Sequence, residues 1–466
     1  MIGRIISLLA LSLLTLSGPV PDHVGVKPIV APTSVRGDIG YKRPLLGRVT
    51  VYRPAGAVRG LVILLSDKVG WSAQDRSLAR RLQADGALVT GVSTPDFLHA
   101  LSRQHGCINP NYAIIDLARD IQHRLKLPVY MKPILMGRGQ GGALAYATLA
   151  AGPSGSYRAA FSIGFGSFLP GHGQWCKSGT LHLTTQRQPI GWTLLPTASL
   201  PSPWIAALRP GDASLPPAYG KDVEGGKAIE LVAGPDGDGH ISQLVTPFLN
   251  QPPDRAVASL PADMPITVVT DPAAPHKGSM AILYSGDGGW VGLDRDVASE
   301  LAKRGIPVVG VDSLSYFWSQ RTPKGAAADL APVIRAYSNR WQRRHVIMLG
   351  YSFGADVLPH IVAHLPPDIR VQITGIAMLG LSPSADFQFH LSSWFNMSDG
   401  NGYPTVPAIA RLRGLPMLCI MGQVETDSAC PSIPPDIAQI VSVPGGHHFD
   451  RNAALLAQQI IGRLPE

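Results

Sequence analysis

Val346-Ile347-Met348-Leu349-Gly350-Tyr351-Ser352-Phe353-Gly354-Ala355-Asp356-Val357-Leu358 is the stretch whose reading decides the fold. An apolar run leads into Gly-x-Ser-x-Gly and straight out into an apolar helical run, the strand–turn–helix setting of a nucleophile elbow. The turn is tight enough that side chains at positions 350 and 354 would collide with neighbouring backbone. Its strained geometry should lift the Ser352 hydroxyl clear of the sheet. With 50 glycines in 466 residues the five-residue motif alone is easily met by chance, so the flanking strand and helix carry the reading.

On either side of this stretch the chain repeats itself. Gly60-Leu61-Val62-Ile63-Leu64-Leu65-Ser66-Asp67, Gly70-Trp71, Asp75 and Leu88-Val89-Thr90-Gly91-Val92 return at a constant offset of 219 residues. The copies include Ser279 to Gly286, Gly289-Trp290, Asp294 and the run ending Gly310-Val311. Further on the offset becomes 213, which lays Gly137-Arg138-Gly139-Gln140-Gly141 on Gly350-Tyr351-Ser352-Phe353-Gly354. A period this long is a domain duplication and no solenoid. Each copy alternates short β-rich runs with helical runs, the pattern of a mainly parallel sheet flanked by helices. The expected fold is therefore α/β, two tandem α/β-hydrolase-like domains of which the first is degenerate. The expected boundaries are a signal peptide over 1–18, the degenerate domain over 19–250, a Pro-rich linker over 251–265 and the catalytic domain over 266–466.

Composition narrows the class. Hydrophobic residues make up 45% and charged residues 15%, which excludes a disordered chain. The net charge of +8 is compatible with docking on an anionic bilayer, while no basic run or nucleic-acid motif is present, so no nucleic-acid partner is expected. Arg4 ahead of the apolar run Ile5 to Leu16 reads as a secretory signal peptide, and no Cys follows to suggest a lipoprotein. Export permits disulfides, and four cysteines with two in each half suggest Cys107 with Cys176 and Cys419 with Cys430, one of three connectivities. Their spacing does not resemble a zinc site, and neither a metal nor a cofactor is expected.

The second half supplies partners for Ser352 in the order serine, acid, histidine. The run Met417 to Gly422 ends in Gln423-Val424-Glu425-Thr426-Asp427, with Asp427 the expected acid and Glu425 the alternative. Ile440 to Val443 leads through Pro444-Gly445-Gly446 to His447-His448; His447 is the expected base, with His448 the alternative. The base would take the serine proton while the acid fixes its tautomer. Oxyanion donors are expected from the Phe353 N–H and from the loop Ser285-Gly286-Asp287-Gly288-Gly289-Trp290, with Gly286 and Asp287 named. No Gly-Lys-Ser or Gly-Lys-Thr follows those glycines, which argues against a phosphate loop. The first half carries Gly139 where the second carries the nucleophile, and reads as non-catalytic.

The loop Ser285 to Trp290, the elbow continuing to Pro359, the segment Asp386-Phe387-Gln388-Phe389-His390 before Trp394, and Pro444 to Asp450 together resemble the AcvB/VirJ bacterial virulence proteins. The two-domain length resembles the longer AcvB type. That resemblance implies a periplasmic serine hydrolase, peripheral to the inner membrane, acting on lysyl- or alanyl-phosphatidylglycerol. It also implies a link to membrane lipid homeostasis, type IV secretion and virulence, with secretion components as possible partners. If the headgroup amino acid is cationic, Asp287, Asp312 and Asp356 are the acids expected to receive its ammonium. The residues by themselves reach only ester hydrolysis; a non-enzymatic periplasmic assembly factor and an esterase of small soluble esters are the competing readings.

Overall fold

The computed structural model describes residues 39–176, 183–208, 219, 223–231, 237–249, 264–389 and 402–465. The expected signal peptide, nearly all of the expected linker, and His390 with Trp394 lie outside the described residues.

Two sheets are built to one plan. The C-terminal sheet runs in the order Ile266–Val269, Val308–Val311, Ser279–Tyr284, His345–Tyr351, Ile373–Leu379, Met417–Gly422, Gln439–Val443. Only its first strand is antiparallel. The N-terminal sheet runs Ile39–Arg43, Gly47–Tyr52, Ala87–Val92, Gly60–Leu65, Ile134–Arg138, Ala159–Ile163, Ser199–Leu208, Glu224–Glu230. It has the same order with one added edge strand, and is parallel beyond its first two strands. Gly60–Leu65 and Ser279–Tyr284 are buried along their whole length, because helices cover both faces of each sheet. In the C-terminal half, Pro323–Trp341 and Phe353–Ala363 pack on one face, and Leu293–Lys303 with Ala453–Ile461 on the other. These are mainly parallel α/β-hydrolase-like sheets, as the repeat in the sequence requires.

The duplication extends to single contacts. The Ser66 hydroxyl accepts the Thr94 N–H at 3.0 Å, and the Ser285 hydroxyl accepts the Ser313 N–H at 2.9 Å. Gly91 is glycine because a Cβ there would lie 2.3 Å from the Trp71 ring, and at Gly310 it would lie 2.0 Å from Trp290. Cys107 is bonded to Cys176 and Cys419 to Cys430, the pairing expected from their distribution. The N-terminal half also carries a three-stranded antiparallel sheet of Phe168–Pro170, Gly191–Leu195 and Thr184–Gln188, inserted between two strands of its main sheet.

The halves meet at an aromatic seam. Trp318 donates its indole N–H to the Leu127 carbonyl at 2.7 Å and stacks on Phe389, with ring centroids 5.9 Å apart. Tyr130 and Leu314 close the cluster, and the Arg119 guanidinium lies 5.5 Å from the Phe389 ring centre. Trp318→Ala should lower the free energy of unfolding by about 3–5 kcal/mol, the usual cost of emptying a buried aromatic site. Denaturant titration checks this, and an unchanged midpoint would mean that the seam contributes no stability.

Candidate active site

The elbow forms because two glycines let a helix start against a strand end. A Cβ at Gly350 would lie 2.4 Å from the Gly354 carbonyl oxygen, and one at Gly354 would lie 2.2 Å from the Tyr284 oxygen. Between them Ser352 is held at φ 52°, ψ −121°, a left-handed conformation that costs a side-chain-bearing residue about 1–2 kcal/mol. Its N–H is fixed by the Leu379 carbonyl at 2.8 Å.

His447 and Glu425 complete a relay. The Ser352 hydroxyl lies 2.8 Å from His447 Nε2, and His447 Nδ1 lies 2.5 Å from Glu425 Oε1. The expectation of Asp427 as the acid is therefore corrected to Glu425. After Gly422 the chain turns sharply, with the Glu425 N–H donating to the Gly422 carbonyl at 3.1 Å and Glu425 Oε2 accepting the Gly422 N–H at 2.9 Å. That turn folds Glu425 inward and leaves Asp427 exposed. The choice between the histidines falls to His447, because His448 Nδ1 pairs with the Tyr351 hydroxyl at 2.6 Å.

Electrostatics suits a base–acid pair. Burial alone would raise the Glu425 carboxyl, but its hydrogen bonds from His447 and the Gly422 N–H outweigh that and hold it below the usual range. Burial alone would lower His447; its bond to Glu425 and the charges of Glu425, Asp356 and Asp287 raise it above the ordinary imidazole value. His448 is lowered by burial and by the neighbouring His447 charge.

The first half, which lacks a serine at its elbow, points to the oxyanion donors. Gly139 keeps the elbow conformation, φ 49°, ψ −116°, but the Asp67 carboxylate occupies the space beside it. A Cβ at position 139 would lie 2.2 Å from Asp67 Oδ1. That same oxygen accepts the Lys68 N–H at 2.7 Å and the Gln140 N–H at 3.0 Å. A carboxylate oxygen thus sits in the hole where a substrate oxyanion would sit. The corresponding N–H groups in the C-terminal half belong to Asp287 and Phe353 by the two repeat offsets. Gly286 is corrected from donor to spacer, since its N–H goes to the buried Asp294 carboxylate at 3.2 Å. Gly286 replaces Asp67 and carries no side chain to fill the hole. Burial raises Asp294 well above the ordinary carboxyl value. Arg138 stands at the Tyr351 position by the repeat offset and pairs with Asp238 at 2.5 Å.

The remaining expected substrate acids have structural duties. Asp356 accepts the Ser382 N–H at 2.7 Å and is pushed up to about 7, chiefly by burial. Asp312 Oδ1 caps the helix Ser313–Tyr316 by accepting the Ser315 N–H at 3.0 Å. Among the described residues no group of three or more His, Cys, Asp or Glu is placed to hold a metal ion, and no helix is long and apolar enough to cross a membrane. Sequence reasoning gave no role to Asp294, whose repeat partner Asp75 was the available signal. It also missed Gly380, where a Cβ would lie 2.8 Å from the His447 ring and whose φ is +64°. Nothing in the sequence around Gly380 marks it.

An elbow serine, a histidine on it and a carboxylate behind the histidine, set at strand ends of this sheet, are the arrangement of an α/β serine hydrolase. Residues 278–466 match the family described as bacterial virulence protein (VirJ). No curated relative matches the chain. Solved structures with some likeness include Est1E from Butyrivibrio proteoclasticus, 13% identical over 42% of this chain and 90% of that one, TM-score 0.32. Another is XC6422 from Xanthomonas campestris, described as an a/b serine hydrolase without lid, 18% identical over 44% and 90%, TM-score 0.31. A third is the naproxen esterase of Bacillus subtilis, 13% identical over 42% and 86%, TM-score 0.30. Likeness at this level bears on no activity or substrate; the fold stands on the strand order and the elbow.

Because a protonated His447 cannot accept the serine proton, kcat/KM should rise with pH through an ionisation above the ordinary imidazole value. Glu425→Gln removes the cause of that elevation, so the rising limb should move to lower pH while kcat falls about 10³–10⁴-fold. Asp427→Asn should leave both in place, and a pH–rate series on the three proteins separates the acids. Ser352→Gly, which recreates the Gly139 elbow, should reduce turnover to background. Its unfolding free energy should stay within about 1 kcal/mol of the parent, as relieved left-handed strain offsets the added freedom of the unfolded chain.

Proposed function

We propose that the protein is an exported serine hydrolase, working at the periplasmic face of the inner membrane, that cleaves the aminoacyl ester of aminoacylated phosphatidylglycerol. The observation that carries the hydrolase part is the continuous chain from Ser352 through His447 to Glu425. The match of residues 278–466 to the VirJ family, with the resemblance of the sequence motifs to AcvB/VirJ proteins, supports the lipid substrate. The net charge of +8 suits a protein that visits an anionic bilayer.

In this reaction Ser352 Oγ attacks the ester carbonyl as His447 Nε2 takes its proton. The tetrahedral oxyanion faces the N–H groups of Phe353 and Asp287. Collapse breaks the bond to the glycerol oxygen, which leaves with the proton returned by His447. Water, deprotonated by the same ring, then releases the amino acid from Ser352. Glu425 remains ionised and stabilises the imidazolium at both steps.

Lipids extracted from cells lacking the protein, cells producing it and cells producing Ser352→Ala test the reading, in a host that makes aminoacyl phosphatidylglycerol. The aminoacyl lipid should accumulate in the first and third, with secretion defects following the same pattern. Equal lipid profiles in all three would overturn the substrate.

A further inference from the structure

Glu425 reaches His447 from a short loop that leaves the sheet at Gly422 and re-enters the core at Ala429 and Cys430. Thr426 and Asp427 in this loop are exposed, whereas the Glu425 side chain is only 2% exposed. Burial penalises an ionised carboxylate, so opening of the loop, which returns the acid to water, is favoured unless the exit is closed. At the near end the Gly422 turn holds it. At the far end the Ala429 N–H donates to the Leu381 carbonyl at 2.8 Å, one residue past the Gly380 that clears room for the imidazole. The next residue, Cys430, is bonded to Cys419 in the strand from which the loop departs, and both cysteines are fully buried. Glu425 therefore lies near the middle of a covalent ring that spans 11 residues of chain.

The duplication shows that the sheet does not need this ring. Ser199–Leu208 takes the place of Met417–Gly422 in the first sheet, and at the offset of 213 Ala206 stands where the second half has Cys419. Cys107 and Cys176, the cysteines of the first half, are bonded to each other instead. The half without a nucleophile builds the same strand with no sulfur in it, and the half with the relay encloses its acid.

We infer that Cys419–Cys430 is a positioning disulfide, which closes the loop that carries Glu425 and so holds its carboxylate on His447 Nδ1. A cross-link removes open conformations from the segment it spans, and a displacement of about 1 Å in a group that supports the chemistry costs about 10²-fold in rate. The electrostatics supplies a signature that general loss of stability would not produce. His447 is faced by Glu425 from this loop, Asp356 from the elbow helix, Asp287 from the oxyanion loop, His448 beside it and the Tyr351 ring. Of these only Glu425 departs with an opened loop. Without the disulfide the His447 ionisation should therefore move down, part of the elevation remaining because Asp356 and Asp287 stay in place. The effect on rate rests on the serine hydrolase reading of Ser352; the effect on His447 does not.

The test uses the full chain with Cys107→Ala and Cys176→Ala, so that Cys419–Cys430 is the remaining disulfide. This protein is compared oxidised, reduced with dithiothreitol during refolding and then freed of reagent without air, and reoxidised. Reduction keeps both sulfurs in the core, so it carries the test even if a Cys419→Ala, Cys430→Ala form fails to fold. Two quantities are read: the titration midpoint of His447 by NMR, its signal identified by loss in His447→Gln, and turnover of p-nitrophenyl acetate. Reduction should lower the midpoint towards that of Glu425→Gln and lower kcat about 10–100-fold, with KM changed by less than about twofold. Reoxidation should restore both, and in Glu425→Gln reduction should move the midpoint no further. An unchanged midpoint on reduction would overturn the inference. So would a fall that persists in Glu425→Gln, or an equal fall from removing Cys107–Cys176 alone. A midpoint that falls as expected in a protein that hydrolyses no ester in any form would leave the positioning in place and remove the hydrolase reading.

Discussion

The structure depends on one backbone conformation, the left-handed turn that holds Ser352 at φ 52° between a buried strand and a buried helix. A residue with a Cβ resists this conformation by about 1–2 kcal/mol, and the turn persists because Gly350 and Gly354 let strand and helix close to within contact distance around it. Strain at this point aims the hydroxyl at His447 and sets the Phe353 N–H beside it. The glycines at 380 and 422 extend the same requirement to the partners. One clears room for the imidazole, and a Cβ at the other would lie 2.3 Å from the Gly446 carbonyl in the turn that delivers the histidine.

Because the chain contains the turn twice, it separates what the fold needs from what the chemistry needs. Gly139 adopts the Ser352 conformation within a few degrees, so the elbow survives without its nucleophile. Asp67 then fills that hole with its own carboxylate and accepts the Gln140 N–H at a helix start and the Lys68 N–H of its own loop. The first half thus departs from the second in two places, a missing hydroxyl and an occupied hole. The second half differs in having a serine at one position and nothing beyond a hydrogen at the other.

Much of this was legible in the residues. The elbow, the repeat at offsets of 219 and 213, the missing nucleophile of the first half and the placing of His447 follow from glycine spacing and from apolar runs that read as strands. What was not legible depended on turns. Glu425 and Asp427 stand two residues apart in one loop, and only the close of the Gly422 turn decides which carboxylate reaches the imidazole. The Gly286 N–H looked available until Asp294, eight residues on, bent back to take it. The seam between the halves was invisible for a related reason: Trp318 and Leu127 are 191 residues apart, and no periodicity encodes that contact.

Hydrolysis here requires an activated Ser352, while Gly139 at the repeat position has no hydroxyl to activate. Intact-mass analysis after exposure to a fluorophosphonate measures both at once. One adduct per chain is expected, mapping to Ser352 and absent from Ser352→Gly, with labelling that rises with pH as His447 loses its proton. No adduct, or one that persists in Ser352→Gly, would contradict it.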